Sequence, residues 1–142
     1  GPVNVIREDP ADPITLYVMT NGGDCLFAFA LIEAMKRCPA PVHTLALGRC
    51  FSAGLLVYLA GTRRLAYPNT LFMAHDFSSG QGPYRRIKKM GDWIEQRIIE
   101  HFQRYTNLTA KAIREKLLSS EFYFDEQEAL AMGMVDEIVY AN

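Results

Sequence analysis

The stretch LALGRCFSAGLLVYLAG, Leu45 to Gly61, is the part of this sequence that most clearly indicates its fold class. An apolar run typical of a strand breaks at Gly48, and an apolar run typical of a helix follows Gly54. Ser52 stands between the two runs. In parallel α/β proteins the reactive groups gather where strands end and helices begin. The stretch therefore predicts a strand-turn-helix unit that carries a candidate functional serine.

The segment before this stretch has the same order of elements. ITLYVMT, residues 14–20, is rich in branched and aromatic residues and predicts a strand that ends at Asn21-Gly22-Gly23. Asp24 is placed to cap a helix over 24–37, a second strand is predicted over 42–48, and a short helix over 52–60. Strand, turn and helix in this alternation predict a mostly parallel sheet with right-handed crossovers.

The rest of the chain predicts shorter elements. They are strands at 63–68, 71–75 and 134–140, and helices at 92–105, at 110–118 capped by Thr109, and at 125–133 with the capping box Asp125 and Glu128. We expect one α/β domain over 1–142, with residues 1–13 as a linker or edge and 77–106 as a loop and arm helix.

Composition and net charge disfavour several classes of function. The chain has 142 residues, 49% of them hydrophobic, and a net charge of -1, which gives no field for gathering nucleic acid or an anionic membrane. We expect a soluble, cytoplasmic protein without a membrane partner. The basic run at 84–93 is read as a solvated helix start rather than a nucleic-acid patch. Three cysteines without C-x-x-C spacing predict reduced, partly buried thiols and no metal site.

Three candidates for chemistry fall on predicted strand ends: the Gly22-Gly23 turn, Ser52 and His75. A serine becomes a nucleophile when a histidine takes its proton and donors stabilise the oxyanion. The glycine turn and the Ala53 amide at the helix start are suited to supply those donors. The alternative is structural, since a serine before an apolar helix is most often its N-cap.

The motifs together resemble the ClpP family, the serine peptidase component of ATP-dependent protein degradation. The resemblance is carried by LYVMTNGGD, LGRCFSAGLLVYLAGTRRLAYPNTLFMAH, GQG and EALAMGMVDEI, and covers residues 14–139. It implies the ClpP/crotonase-like fold, with Ser52 as nucleophile, His75 as general base, and the amides of Gly23 and Ala53 as the oxyanion hole. It implies no metal or organic cofactor.

The chain departs from the family pattern at several positions. Glu121 stands where the family usually has the aspartate that orients the histidine, and the nearby Asp125 has a competing helix-capping role. Ser78 and Ser79 replace the glycine pair of the substrate-binding segment. Two further predicted substrate-binding residues are Gly22 and Gly80. Little sequence precedes the first predicted strand, and serines replace an arginine that couples ring contacts to the site.

Three functions follow from these observations. The first is a serine endopeptidase that cleaves unfolded polypeptides in a homo- or hetero-oligomeric ring, a heptamer either single or stacked as a tetradecamer, with an AAA+ ATPase partner like ClpX, ClpA or ClpC. The second is a non-catalytic subunit of a mixed ring. The third is a crotonase-type acyl-CoA enzyme. Retention of both Ser52 and His75 favours the first.

Overall fold

A computed structural model describes residues 9–76 and 88–142 of the chain. The elements are β1 (Ile14–Thr20), α1 (Cys25–Arg37), β2 (Val42–Phe51), α2 (Ala53–Leu59), β3 (Arg64–Ala66), β4 (Leu71–Ala74), α3 (Lys88–Tyr105), α4 (Ala110–Ala112), a π-helical turn (Ile113–Leu117), β5 (Phe122–Asp125), α5 (Glu126–Ala131) and β6 (Glu137–Ile138). No helix in the described ranges is long and apolar enough to cross a membrane.

The strands form one mostly parallel sheet, which confirms the predicted fold class. Its order is β5-β4-β2-β3-β6, and β1 also pairs with β2. Four of the strand pairs are parallel, and β4 with β5 is the antiparallel one. Because β2 pairs with β1, β3 and β4, the strand that leads into Ser52 is the centre of the sheet.

Strand β2 is longer than predicted. The sequence pattern suggests an end at Gly48, but the strand continues to Phe51. Gly48 has φ 69°, a left-handed conformation that glycine adopts without a steric penalty, and the pairing of β1 with β2 shifts register there. The bulge lets β2 pair with β3 before it and with β4 after it. Gly48 is therefore a bend inside the strand that carries Ser52 rather than its end.

Other boundaries also differ from prediction. Strand β5 was not predicted, because FYFD has no turn ahead of it and pairs with a distant strand. Helix α3 begins at Lys88 rather than Asp92, which makes the described end of the basic run helical. Asp24, Thr109 and the Asp125–Glu128 capping box act as the predicted caps. The last strand is only Glu137–Ile138.

Helix α2 lies in the middle of the core, since all seven of its residues are buried. The phenol of its Tyr58 donates to the carbonyl of Leu65 at 2.9 Å, and its carbonyl accepts from the hydroxyl of Thr44 at 2.7 Å. Both buried polar groups of Tyr58 therefore have hydrogen-bond partners, as buried polar groups normally do. The helix is held to β2 and β3 by apolar packing and by these hydrogen bonds. These contacts hold α2 in the core, and Ser52 directly precedes its first residue.

Candidate active site

Ser52 occupies a strained turn between β2 and α2. Its φ is 58° and ψ is -123°, a conformation that residues with a Cβ rarely adopt. Its backbone N–H donates to the Met73 carbonyl at 2.8 Å, and its carbonyl accepts from Leu55 at 3.0 Å. Its side chain makes no capping hydrogen bond to the helix. The N-cap alternative therefore does not describe this hydroxyl, which the strained turn directs elsewhere.

The hydroxyl of Ser52 is paired with His75. Ser52 Oγ lies 2.7 Å from Nε2 of His75, and the serine is only 7% exposed. Adjacent strands bring the two together, because His75 directly follows β4 and β4 is the neighbour of β2. When the serine donates, Nε2 carries no proton and the ring proton is on Nδ1. The pair then has the geometry of a nucleophile and its base.

The glycine turn after β1 packs against the serine. Gly22 has φ 98°, and a Cβ at this position would lie 2.8 Å from Ser52 Cβ and 3.2 Å from the Ala53 nitrogen. Gly23 follows with φ 155° and has open space where a Cβ would stand. Ala53 begins α2, where backbone N–H groups lack partners within the helix. The turn thus packs Gly22 against Ser52 and the Ala53 nitrogen, and Gly23 is the next residue along the chain.

Glu121 directly precedes strand β5. This strand runs antiparallel to β4, and its first residue, Phe122, pairs with Ala74, the residue before His75. The exposed carboxylate accepts a hydrogen bond from the phenol of Tyr123 at 3.1 Å. Asp125 accepts from the Glu128 backbone N–H at 2.9 Å, so its carboxylate caps α5 as expected. Asp125 is thus engaged in capping, and Glu121 directly precedes the residue that pairs with Ala74.

The predicted substrate contacts Ser78, Ser79 and Gly80 lie outside the described residues. The thiols of Cys25 and Cys50 are buried. Burial, with the charge of Asp24 added, raises the pKa of Cys25 to about 12, and burial alone raises the pKa of Cys50 well above its ordinary value. Thiols with raised pKa are poor nucleophiles at neutral pH. In the described ranges no group of metal-ligating side chains could hold an ion.

An apolar cleft adjoins the glycine turn and was not predicted. Its volume is about 430 Å³, and it lies between β1, α1 and α2. Four large apolar side chains line it and reach solvent: Tyr17, Met19, Phe27 and Leu31. Phe27 is 78% exposed and Met19 is 65% exposed. The alternation of side chains in β1 and the spacing of Phe27 and Leu31 on α1 indicate that each element has an apolar face. The sequence does not indicate which of these faces stays exposed to solvent.

A further pair of residues connects β2 to the glycine turn. Arg49 Nη1 donates to the side-chain oxygen of Asn21 at 3.1 Å. The Gly22 N–H donates to the hydroxyl of Thr20 at 3.0 Å. Both bonds hold the turn in place. The bond between Arg49 and Asn21 could not be predicted from the sequence, because the two residues are 28 positions apart.

Sequence comparisons identify known proteins that this chain resembles. A family model described as Clp protease matches residues 4–142. A curated relative from Tropheryma whipplei, strain Twist, named ATP-dependent Clp protease proteolytic subunit 1, is 30% identical over 95% of this chain and 69% of its own length. The proteolytic subunit 2 of Thermobifida fusca, strain YX, is 32% identical over 93% of this chain and 68% of its own length.

Solved structures show the same fold. A mutant of ClpP1 from Listeria monocytogenes superposes with a TM-score of 0.83 at 25% identity, covering 93% of this chain and 76% of the other. A peptidase from Plasmodium falciparum superposes with a TM-score of 0.78 at 19% identity, covering 93% and 79%. The similarity in fold therefore extends over 93% of this chain in both cases.

Proposed function

The chain belongs to the Clp protease family, and from that premise we propose that it is a serine endopeptidase with Ser52 as nucleophile and His75 as general base. The observation that carries the proposal is the 2.7 Å separation of Ser52 Oγ and His75 Nε2. A strained turn that costs free energy and frees the hydroxyl from helix capping is expected of a nucleophile rather than of a structural serine.

The reaction would proceed in two halves. Ser52 Oγ attacks the peptide carbonyl while its proton passes to Nε2 of His75, which then returns that proton to the leaving amine. Water, deprotonated by the same imidazole, hydrolyses the acyl ester and restores the hydroxyl. In each half the negative charge on the attacked oxygen is stabilised by the amides of Gly23 and Ala53, which are fixed in place before the reaction.

Glu121 would complete the site. An imidazole that accepts at Nε2 donates from Nδ1, and a carboxylate beside Nδ1 holds that tautomer and stabilises the imidazolium formed after proton transfer. The register of β4 and β5 supports this role for Glu121.

We propose extended polypeptide as substrate. Gly22 is a predicted contact, and the predicted contacts at Ser78, Ser79 and Gly80 stay predictions. The exposed face of Tyr17, Met19, Phe27 and Leu31 supports assembly with further chains, since apolar patches on a soluble surface mark interfaces. Ring assembly is therefore part of the proposal. The proposal also includes an AAA+ ATPase partner, which would consume the ATP.

One observation favours a second function. The exposed carboxylate of Glu121 is hydrogen-bonded to Tyr123. This would suit a structural subunit in which the residue at position 121 no longer orients the histidine. The acyl-CoA alternative has no support of this kind, because the relatives described above are named as protease subunits and a peptidase.

Fluorophosphonate labelling tests the proposal. We expect the purified protein to be phosphonylated at Ser52, and labelling to vanish in Ser52→Ala. The matched control is Ser119→Ala, because Ser119 is an exposed serine that donates to the Glu115 carbonyl, and this variant should label as well as the parent. Native mass on the same sample reports assembly. An intact oligomer without label would overturn the peptidase and support the structural subunit.

A further inference from the structure

Tyr123 lies in a line of three residues that crosses the sheet next to the active-site candidate. Phe51 on β2 pairs with Met73 on β4, and Met73 pairs with Tyr123 on β5. Paired residues of neighbouring strands project to the same face of a sheet. The rings of Phe51 and Tyr123 meet edge to face, with centroids 5.9 Å apart and planes at 84°. The phenol is thereby held against the residue that directly precedes Ser52.

The same phenol also contacts Glu121. Tyr123 and Glu121 are two residues apart, so both project to one side of the chain. The Tyr123 hydroxyl donates to Oε2 of Glu121 at 3.1 Å. That hydrogen bond, together with the negative charge of Glu121, raises the pKa of Tyr123 above its ordinary value. The phenol therefore stays protonated and keeps donating at the pH where a peptidase works.

The carboxylate has capacity for a second donor. An ionised carboxylate offers two oxygens and about four acceptor positions. Oε2 accepts from the phenol, which leaves Oε1. The register of β4 and β5 pairs Ala74 with Phe122, and its continuation by one residue would set His75 opposite Glu121. We propose that Tyr123 is a positioning residue, which holds the Glu121 carboxylate so that its other oxygen serves the Nδ1 side of His75. This inference rests on the proposed peptidase function.

The residue type at position 121 explains why such a support is useful. A glutamate has one more rotatable bond than the aspartate usual in the family, and ordering that bond costs conformational entropy. A hydrogen bond from a phenol that is itself packed on Phe51 restricts the bond before substrate arrives. An aspartate is shorter by about 1.5 Å, so we expect it to lose the bond to the Tyr123 hydroxyl.

A double-mutant cycle tests the inference. Tyr123→Phe keeps the ring contact with Phe51 and removes only the donor. We expect it to lower kcat about fivefold with KM unchanged, because the loss concerns the transition state rather than substrate binding. In the Glu121→Asp background the same change should alter kcat by less than about twofold. An unchanged kcat in the first case, or equal losses in both backgrounds, would overturn the proposal.

A readout independent of activity accompanies the cycle. The phenol pKa of Tyr123, followed by NMR of ¹³C-labelled tyrosine, should fall in Glu121→Gln, and a pKa that does not move would also overturn the proposal. Tyr140→Phe is the matched control, since Tyr140 is an exposed tyrosine that accepts from Gln127 at 3.0 Å, and its kcat should match the parent. Failure of the peptidase proposal is seen separately, as absence of Ser52 labelling in the parent protein.

Discussion

The hydroxyl of Ser52 and the imidazole of His75 lie 2.7 Å apart, although 23 residues separate them along the chain. Their meeting depends on two features of the sheet: the bulge at Gly48 that turns β2 toward β4, and the strained turn that points Oγ away from helix α2.

Gly22→Ala should disable the site. The added methyl group would stand 2.8 Å from Ser52 Cβ and 2.9 Å from the Phe51 carbonyl oxygen, at a φ of 98° that alanine avoids. We expect the rate of fluorophosphonate labelling to fall at least about 100-fold, because the glycine turn must move and shift the oxyanion donors. Gly23→Ala, where the methyl meets open space, should lose less. Equal rates for Gly22→Ala and the parent protein would contradict this packing.

Arg49→Ala should lower activity without unfolding the protein. It removes the 3.1 Å bond to Asn21 that ties β2 to the glycine turn. Since the pair is exposed, we expect the free energy of unfolding to change by less than about 1 kcal/mol and kcat for a peptide substrate to fall roughly threefold to tenfold. Arg63→Ala, which breaks the exposed pair with Glu137, is the control and should keep full activity. Similar kcat values for both variants would show that the Arg49 bond does not support the turn.

Acid should destabilise the fold through His101. This residue is 8% exposed and its Nε2–H donates to the Leu56 carbonyl at 2.7 Å. Burial lowers its pKa from 6.5 to about 4, with a smaller contribution from the charges of Lys36 and Arg104 and against the effect of the Leu56 bond. The unfolded chain therefore binds a proton first as pH falls, and stability present above about 6.5 is lost progressively toward pH 4.

Denaturant titrations between pH 4 and pH 8 measure this loss. The parent protein should lose on the order of 3 kcal/mol from His101 across the window, and the pH dependence should be correspondingly flatter in His101→Gln, which does not titrate. Curves of equal slope for the two proteins would mean that His101 is not buried in its neutral form.

Phe27→Glu should weaken assembly. Phe27 is 78% exposed on α1 and belongs to the apolar lining of the cleft beside the glycine turn. A buried charge without a partner is costly, so native mass spectrometry should show a shift from oligomer to smaller species. Ala34→Glu adds the same charge to an exposed position of the same helix, outside the cleft lining, and should leave the mass unchanged. An intact oligomer in Phe27→Glu would exclude this face from the interface.

Several local features could be predicted from the sequence because their causes are local. Asp24 and Thr109 cap helices through neighbouring backbone amides, and Asp125 and Glu128 do so reciprocally over three residues. The glycine turn and the strand-to-helix change around Ser52 are visible for the same reason. Strand β5 and the end of β2 at Phe51 were not predicted, because each depends on pairing with β4. This pairing joins residues that are distant in the sequence.

Local patterns predict the alternation of strands and helices, the serine at a strand-to-helix turn and the family, because periodicity and turn residues act over a few positions. Three relationships depend on tertiary contacts: Ser52 turns away from its helix toward His75, Gly22 must lack a side chain, and Glu121 bonds to Tyr123. Those relationships depend on sheet register and on a strained φ at Ser52, which long-range packing of β1, β2, β4 and β5 imposes on residues that have no local preference for it.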